Sequence, residues 1–527
     1  MSTPRPDVLI AGAGPTGLVL ALWLARAGVR PRVIDKAPDP GLASRAMAVQ
    51  ARTLEFYRQL GIADGAVADG MLMSGARFWD GGRLAALVPL GEIGAGISPF
   101  PLVLSYPQDD HERFLLERLR EAGVAVEWNT ELVGLRQTAD RVHARLRAGG
   151  TETESDHAYL CGCDGSHSAV RHALGVGFPG AKYDSKFYVA DVAGEGWSPG
   201  PFVNVSLGRD TFCLGFPVRR PGMVRLLGIL PAELADRTDL TYDDVRPIPE
   251  RLLGLRTTDV NWFSTYHVHH RVAERFRVGR VFLSGDAGHV HSPAGGQGMN
   301  TGIGDAVNLA WKLAAVLQGR SAPAVLDSYE AERIRFARTL VASTDRAFGF
   351  LVGRGLRGWL IRRVVMPRVL PLAVKVPAVR RAMFGLLSQT RIEYRPGPLS
   401  VGGAGRVRAG DRLPWLGEPD NFAPLTSRDW QVHVYGDVGT ALREVAARAG
   451  VSVERFAWSA GCRRAGFARD AIYLVRPDGH VGFAGRQNTM AGLETYLARW
   501  AIRGANSVTE PAPSGVGAAR RAERSDP

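Results

Sequence analysis

Four consecutive apolar residues, Val8 to Ala11, run into a glycine-rich turn, and a second apolar run then extends to Ala27. A short apolar run bounded by glycine reads as a strand buried on both faces. Gly17 to Ala27 reads as a helix, with Gly28 as the residue just past its C-terminus. Arg32 to Ile34 is a second strand ending at Asp35, so the chain opens with a strand–helix–strand unit. Gly12, Gly14, Pro15 and Gly17 interrupt the apolar run, which is therefore read as neither a signal peptide nor a bilayer span.

Further along, HERFLLERLREAGVAVEWNTELVGLRQ predicts a helix and then a strand. RVHARLRAGGTETESDHAYLCGCDG predicts a hairpin followed by a strand into a glycine turn. From about Phe187 to Leu230, short β-rich runs alternate with Gly and Pro, the pattern of a mostly antiparallel sheet. Asp305 to Gln318 predicts an amphipathic helix with Ala306, Leu309, Leu313 and Val316 on its apolar side, stopped by Gly319. Helical character continues from Pro323 to about Ser388, followed by a Gly/Pro linker. Gln431 to Trp500 reads as a small α/β domain, in which AIYLVRPDGHVGFAG is strand, Asp-Gly turn and strand.

Composition narrows the class. With 527 residues, 45% apolar and 22% charged, the chain is a globular protein too long for one core. The formal net charge of +13 is uneven: eleven basic residues lie between Arg346 and Arg395 against one acid, Glu393. A nucleic-acid-binding protein would spread its charge differently, so none is expected as a partner. Cys161 and Cys163 form a C-x-C, and Cys213 and Cys462 stand alone, which supports neither a zinc ribbon nor a dithiol cycle and fits a reducing cytoplasm.

Three motifs carry chemistry. The first is Gly12-x-Gly14-x-x-Gly17, enclosing Pro15 and Thr16, between strand and helix. It gives a tight turn, a close approach for a pyrophosphate and a helix N-terminus aimed at it. Asp35 ends the next strand where a carboxylate accepts ribose hydroxyls, with Lys36 beside it; this pair separates neither FAD from NAD nor the reverse. The second is GCDGSHSAVRHALG, with Asp164 at a strand end and Ser168 and Arg171 on a helical start; alone it reads as a helix cap by Asp164 or Ser166. The third is SGDAGHVHSPAGGQGMNTG. Asp286 at a strand end suits a polyol, the glycines after Pro293 admit a flat ring, and a helix beginning near Gly298 to Asn300 points its positive end there, where a reduced flavin carries negative charge. His267, His269, His270, His289 and His291 invite a metal reading, but no carboxylate or cysteine stands at ligand spacing beside them, so no metal is expected.

In this order and spacing, Gly12–Gly17, CDGSHSAVR and GDAGHVHSPAGGQGMNTGIGDAVNLAWKLA resemble the group A flavin monooxygenases, the aromatic hydroxylases of the para-hydroxybenzoate hydroxylase fold. The likeness is nearest to the phenol and polyketide hydroxylase branch, which often carries a thioredoxin-like C-terminal domain without redox cysteines. It covers about residues 5–345, and YLVRPDGHVGFAG more loosely. Gly288 stands where that family usually has alanine, and the basic segment maps to no family function.

The resemblance implies an α/β fold. A Rossmann-like FAD-binding domain would occupy residues 1–180 and 276–345, with a β-sheet substrate domain inserted at 181–275 and helped by about 71–103. A basic helical segment and linker (346–400), a thioredoxin-like domain (401–503) and a disordered tail (504–527) would follow. Asp35 would hold the adenosine ribose, and Arg45 and Gln108 the ribityl–phosphate region. Asp164 would lie at the FAD/NAD(P)H groove and Asp286 on the ribityl hydroxyls. Pro293, Gly296, Gly298, Met299 and Asn300 would border the isoalloxazine.

The implied activity is hydroxylation of a phenolic or polyketide-like aromatic substrate with O2, FAD and NADPH or NADH, through a flavin C4a-hydroperoxide. Baeyer–Villiger or epoxidation chemistry is the alternative on the same fold, and a flavin-containing binding protein recruited by the basic segment is the non-enzyme one. No W-x-W-x-I-P halogenase signature is present. Tyr106, Tyr188, Asp191, His267 and His269 are weak candidates for activating the substrate. Phe78, Trp79, Phe100, Phe202, Phe212 and Phe216 suit a bulky planar substrate and an ordinary core equally. A membrane surface, an acidic carrier protein and a homodimer are the partners left open, the first two at residues 346–395.

Overall fold

The computed structural model describes residues 7–41, 46–91, 93–196, 200–208, 211–218, 222–292, 296–352, 360, 365–366 and 368–505. Arg45, Pro293 and residues 506–527 of the tail lie outside the described residues.

Val8–Ala11 is central in a six-stranded sheet ordered Arg277–Val278, Val281–Leu283, Tyr159–Gly162, Val8–Ala11, Pro31–Ile34, Val126–Glu127. All pairs are parallel except the edge hairpin Arg277–Val278 with Val281–Leu283. Three inner strands, Val8–Ala11, Tyr159–Gly162 and Val281–Leu283, are short and wholly buried, and the core around them draws on helices Pro15–Arg26 and Gly298–Leu317 and on Leu132, Val142, Ala144 and Leu146 of a separate three-stranded sheet. Helix Pro15–Arg26 packs against the long helix Gly298–Leu317 on this sheet. Backbone bonds lace the strand ends together: Gly12 N–H to Ile34 O (2.8 Å), Cys163 N–H to Ala11 O (2.7 Å) and Ser284 N–H to Gly162 O (2.9 Å). The C-terminal edge therefore gathers the residues that follow each strand, where open parallel sheets bind their ligands.

A second sheet has eight strands, in the order His289–Val290, Arg256–Val272, Gly180–Glu195, Met223–Ile229, Phe212–Pro217, Phe202–Leu207, Gly75–Asp80, Arg83–Pro89. It is antiparallel but for the pairing of Phe202–Leu207 with Gly75–Asp80. The strand His289–Val290 directly follows the Asp286 turn, so the two domains are joined covalently at the candidate site.

The helix Gly298–Leu317 departs from the amphipathic reading. It starts seven residues before Asp305, and its polar residues Asp305, Asn308 and Lys312 are as buried as its leucines. They are paired across the domain boundary: Lys312 Nζ bonds Glu332 (2.9 Å), and Glu332 accepts Arg476 (2.7 Å) from the C-terminal domain. That domain, with strands Gln431–Tyr435, Ser452–Phe456, Ala471–Val475 and Val481–Arg486, packs its Trp430 edge-on against Trp311 of the helix. Its single cysteine, Cys462, is buried.

Candidate functional site

Gly12 adopts φ +105°, and a Cβ there would lie 2.3 Å from the Cys163 carbonyl oxygen. Only glycine allows this turn to press on the neighbouring strand end. Gly17 permits helix–turn contact, since its Cβ would lie 2.0 Å from Gly12 O. Gly14 is different: nothing lies within 4 Å of a Cβ, leaving room in front of the N-terminus of Pro15–Arg26. That helix has Pro15 at its first position and no acid in its first turn, so its positive end is uncompensated.

Asp35 accepts Ala13 N–H (2.7 Å) and Ala37 N–H (2.8 Å). It pins the glycine turn while each oxygen keeps a second lone pair. Together with Lys36, Asn129 and Arg147 it lines an open cleft of about 890 Å³. Gln108 begins a helix, accepts Ala46 N–H (3.4 Å) and donates to Glu112 (2.8 Å). Burial raises the Glu112 pKa to about 7.

The second turn joins the first. Asp164 Oδ2 accepts Val170 N–H (3.1 Å), while Oδ1 is buried with no partner. Burial raises this carboxyl above its ordinary range. The cap of the short helix Ala169–Ala173 is made chiefly by Ser168, which accepts Arg171 N–H (2.9 Å). Arg171 is buried and donates to the Ala287 carbonyl (3.0 Å), tying this motif to the Asp286 turn through a bond that no sequence spacing announces.

The third turn, Gly285–Ala287, leaves Asp286 exposed. A Cβ on Gly285 would lie 2.6 Å, and one on Gly302 2.3 Å, from Thr16 Oγ1. Thr16 of the first turn is the wedge against which the third turn and the start of the long helix both press. Gly296 takes φ +61° beside Ala48, and Met299 is half-buried. Asn300 is fully engaged: it donates to Ala48 O (2.8 Å) and Gly296 O (3.0 Å) and accepts Gln50 N–H (2.9 Å) and Thr53 Oγ1–H (2.8 Å). Its side chain fixes the start of the long helix, and the backbone N–H groups of Gly298 and Met299 remain for a ligand. These features fit FAD: an open cradle at Gly14, an orphaned carboxylate oxygen on Asp164, an exposed Asp286 and an anion-favouring helix start.

Beside this cradle stands His291. Its Nδ1 donates to Ser292 O (2.8 Å), so Nε2 carries a lone pair, which is buried and unpartnered. Burial lowers its pKa to about 4.

The large sheet presents one face to helices over Tyr242–Leu253 and the other toward the FAD-binding domain, where Arg225 approaches Asp109 (3.7 Å). That second face carries Phe187, Val189 and Leu227, with Phe216, Trp262 and Tyr266 only partly buried. Phe212 and Phe78 also lie on it, whereas Trp79 faces the helices and Phe202 stacks under Arg77 at 4.1 Å. Phe100 packs near Ile93 and Phe384.

Of the candidates for activating the substrate, Tyr106, Tyr188 and Asp191 have committed partners, whereas Nδ1 of both His267 and His269 has none. Tyr106 is buried, its hydroxyl near Asp69 (3.4 Å), and burial raises its pKa. Tyr188 is buried against Cys213. Asp191 makes a two-pronged bond with Arg225 (2.6 Å each). His267 and His269 lie opposite Lys186 and Lys182, with pKa values lowered by burial and those lysines.

The chain matches two family models: an FAD binding domain over residues 5–344 and the C-terminal region of aromatic-ring hydroxylases over 408–503. It is 33% identical to a 12-dehydrotetracycline 5-monooxygenase/anhydrotetracycline 6-monooxygenase of Streptomyces rimosus, covering 94% of this chain and 99% of that one. A dialkyldecalin synthase of Streptomyces rugosporus is 38% identical over 346 residues, 64% of this chain and 71% of that one. Among solved structures, aklavinone-11 hydroxylase in complex with FAD and aklavinone superposes with a TM-score of 0.76 at 27% identity, covering 95% of this chain and 99% of that one.

Proposed function

The chain belongs to the FAD-dependent aromatic-ring monooxygenases, and from this premise we propose that it hydroxylates a phenolic or polyketide-like substrate with O2 and NADPH or NADH. The observation that carries the reading is the convergence of three glycine-bearing turns, the Asp164 turn pressed on Gly12 and the Asp286 turn on Thr16, with Asp35, Asp164 and Asp286 following the strand ends there. FAD, when bound, supplies hydride acceptance and oxygen activation.

The chain's own residues do the rest. Asp35 holds the adenosine ribose, Lys36 flanks it, and Gly12, Gly14, Pro15 and Gly17 admit the pyrophosphate. Asp164 offers its free oxygen to the groove shared by the two cofactors. Asp286 accepts ribityl hydroxyls. Gly296, Gly298 and Met299 bring backbone N–H groups to the ring edge. The apolar sheet face with Phe216, Trp262 and Tyr266 forms a dry wall for a planar substrate. No free base among Tyr106, Asp191, His267 and His269 is assigned to the substrate. The basic segment serves as a contact for an anionic membrane surface.

The test is reconstitution with FAD, followed by turnover with a panel of phenols and polycyclic phenols under labelled oxygen. One labelled atom in a hydroxyl of the product is the expected result. A ring-expanded ester or an epoxide would assign the alternative oxygenations. Product formed with no label would assign a synthase chemistry, like that of one relative. No flavin uptake at all would overturn the reading.

A further inference from the structure

The mechanism leaves one feature unused, a buried polar relay from the C-terminal domain to the flavin loop. Asp305, fully buried on the helix Gly298–Leu317, accepts Gly285 N–H (3.0 Å) and bonds His289 Nε2 (2.7 Å) through one oxygen. Its other oxygen accepts Arg333 Nε–H. Arg333 also donates to Thr301 O (3.1 Å) and to the Tyr394 hydroxyl (3.0 Å). Tyr394 stacks between His480 (ring centroids 4.4 Å apart) and the Arg476 guanidinium (5.1 Å), both in the C-terminal domain. Arg476 grips Glu332, the neighbour of Arg333, at 2.7 and 3.0 Å and is itself held by Asp478 at 2.6 Å.

The geometry points to the C-terminal domain as a clamp on the flavin loop. Arg476 holds Glu332 and the Tyr394 ring, Tyr394 holds Arg333, Arg333 holds Asp305, and Asp305 fixes the Gly285 amide next to Asp286. This gives a domain without a dithiol a role in positioning the cofactor. Every member is buried, so the relay has two states, made or broken, with no solvent to substitute for a lost partner. The inference rests on the flavin reading of the Asp286 turn.

Arg333 and Tyr394 are positioning residues, so their test reads the cofactor rather than turnover alone. In the full-length protein, Tyr394→Phe removes one hydroxyl and Arg333→Lys keeps the charge but loses the fork. Each is expected to raise the FAD dissociation constant about tenfold, the size of one lost hydrogen bond to a charged group. Each is also expected to change the visible circular dichroism of the bound flavin. The control is Tyr473→Phe, which breaks a buried bond to Ala404 O (2.9 Å) inside the C-terminal domain and off the relay. It should destabilise the fold while leaving FAD affinity within about twofold. Equal FAD affinity in Tyr394→Phe and wild type, or an equal loss in Tyr473→Phe, overturns the clamp. Should Tyr394→Phe fail to fold, hydrogen exchange on the wild type decides. The clamp requires the Gly285 amide to be protected before FAD is added, and exchange at the rate of an open loop overturns it. A wild type that never takes up FAD instead overturns the flavin reading beneath it.

Discussion

At Glu112 a single buried carboxyl makes the stability of the fold depend on pH. Burial is the main cause of its raised pKa, about 7 against an ordinary 4.5, with Asp109 and Asp35 adding repulsion and the Gln108 amide partly offsetting them. The raised value means that the folded chain holds a proton the unfolded chain releases between about pH 4.5 and 7. Folding is therefore unpenalised below pH 4.5 and loses stability as pH rises to 7, after which the cost is constant. Glu112→Gln keeps the acceptor for Gln108 and removes the charge. The variant should be more stable than wild type by about 2 kcal/mol at pH 8, and the gap should close below pH 4.5. Thermal melts of the FAD-free protein at both pH values check this; a gap independent of pH would rule it out. Asp164 teaches a related lesson. Its sequence allowed either a cap or a ligand, and its two oxygens divide the tasks, one bonded to Val170 and one left unpartnered.

At the scale of elements, the glycines of the first turn separate fold from function. An added methyl at Gly17 meets the Gly12 carbonyl at 2.0 Å, and one at Gly14 meets nothing within 4 Å. Gly17→Ala should therefore lower stability by about 2 kcal/mol or more, whereas Gly14→Ala should leave the FAD-free melting temperature unchanged and weaken FAD binding at least about tenfold. Loss of stability in Gly14→Ala, or undiminished FAD affinity, would contradict the placement of the pyrophosphate. These turns were legible in the sequence because their constraint is local: a tight turn between strand and helix accepts little but glycine. What was not legible depends on partners far along the chain. The helix Gly298–Leu317 reads as amphipathic because periodicity registers Asp305 and Lys312 as polar. Its burial follows from Arg333 and Glu332, and from Arg476 a further 144 positions on. Asn300, at the start of that helix, spends its side chain on residues about 250 positions earlier, which no local spacing announces. Arg171 was legible as a helix residue, but its bond to Ala287 spans 116 positions and no spacing announces it.

At the scale of the whole molecule, positive charge and exposed apolar side chains coincide in one stretch of the chain. Among the described residues, seven of the eleven large exposed apolar side chains fall between Leu360 and Leu386, in the stretch that holds most of the excess positive charge. The inner face of this stretch is committed: Val374 packs on Phe78 and Val88 of the substrate-side sheet, and Phe384 is fully buried. Leu372, Val376 and Leu386 point outward, interleaved with exposed Arg368, Lys375, Arg380 and Arg381. A second copy of the chain would bring like charge to this face, and an acidic soluble partner would leave the apolar residues without a purpose. An anionic bilayer surface satisfies both, by shallow insertion of the apolar side chains and attraction of the arginines to headgroups. Among the described residues no helix is long and apolar enough to cross a membrane. The protein should sediment with phosphatidylcholine vesicles containing about 30% phosphatidylglycerol and not with neutral ones, and added salt should release it. Arg380→Gln with Arg381→Gln should weaken binding about tenfold, and Leu372→Ser with Leu386→Ser comparably, with FAD content unchanged in both. Equal binding to neutral and anionic vesicles, or none to either, would refute the membrane contact, and a dimer dispersed by the leucine variant would assign the face to a second copy instead.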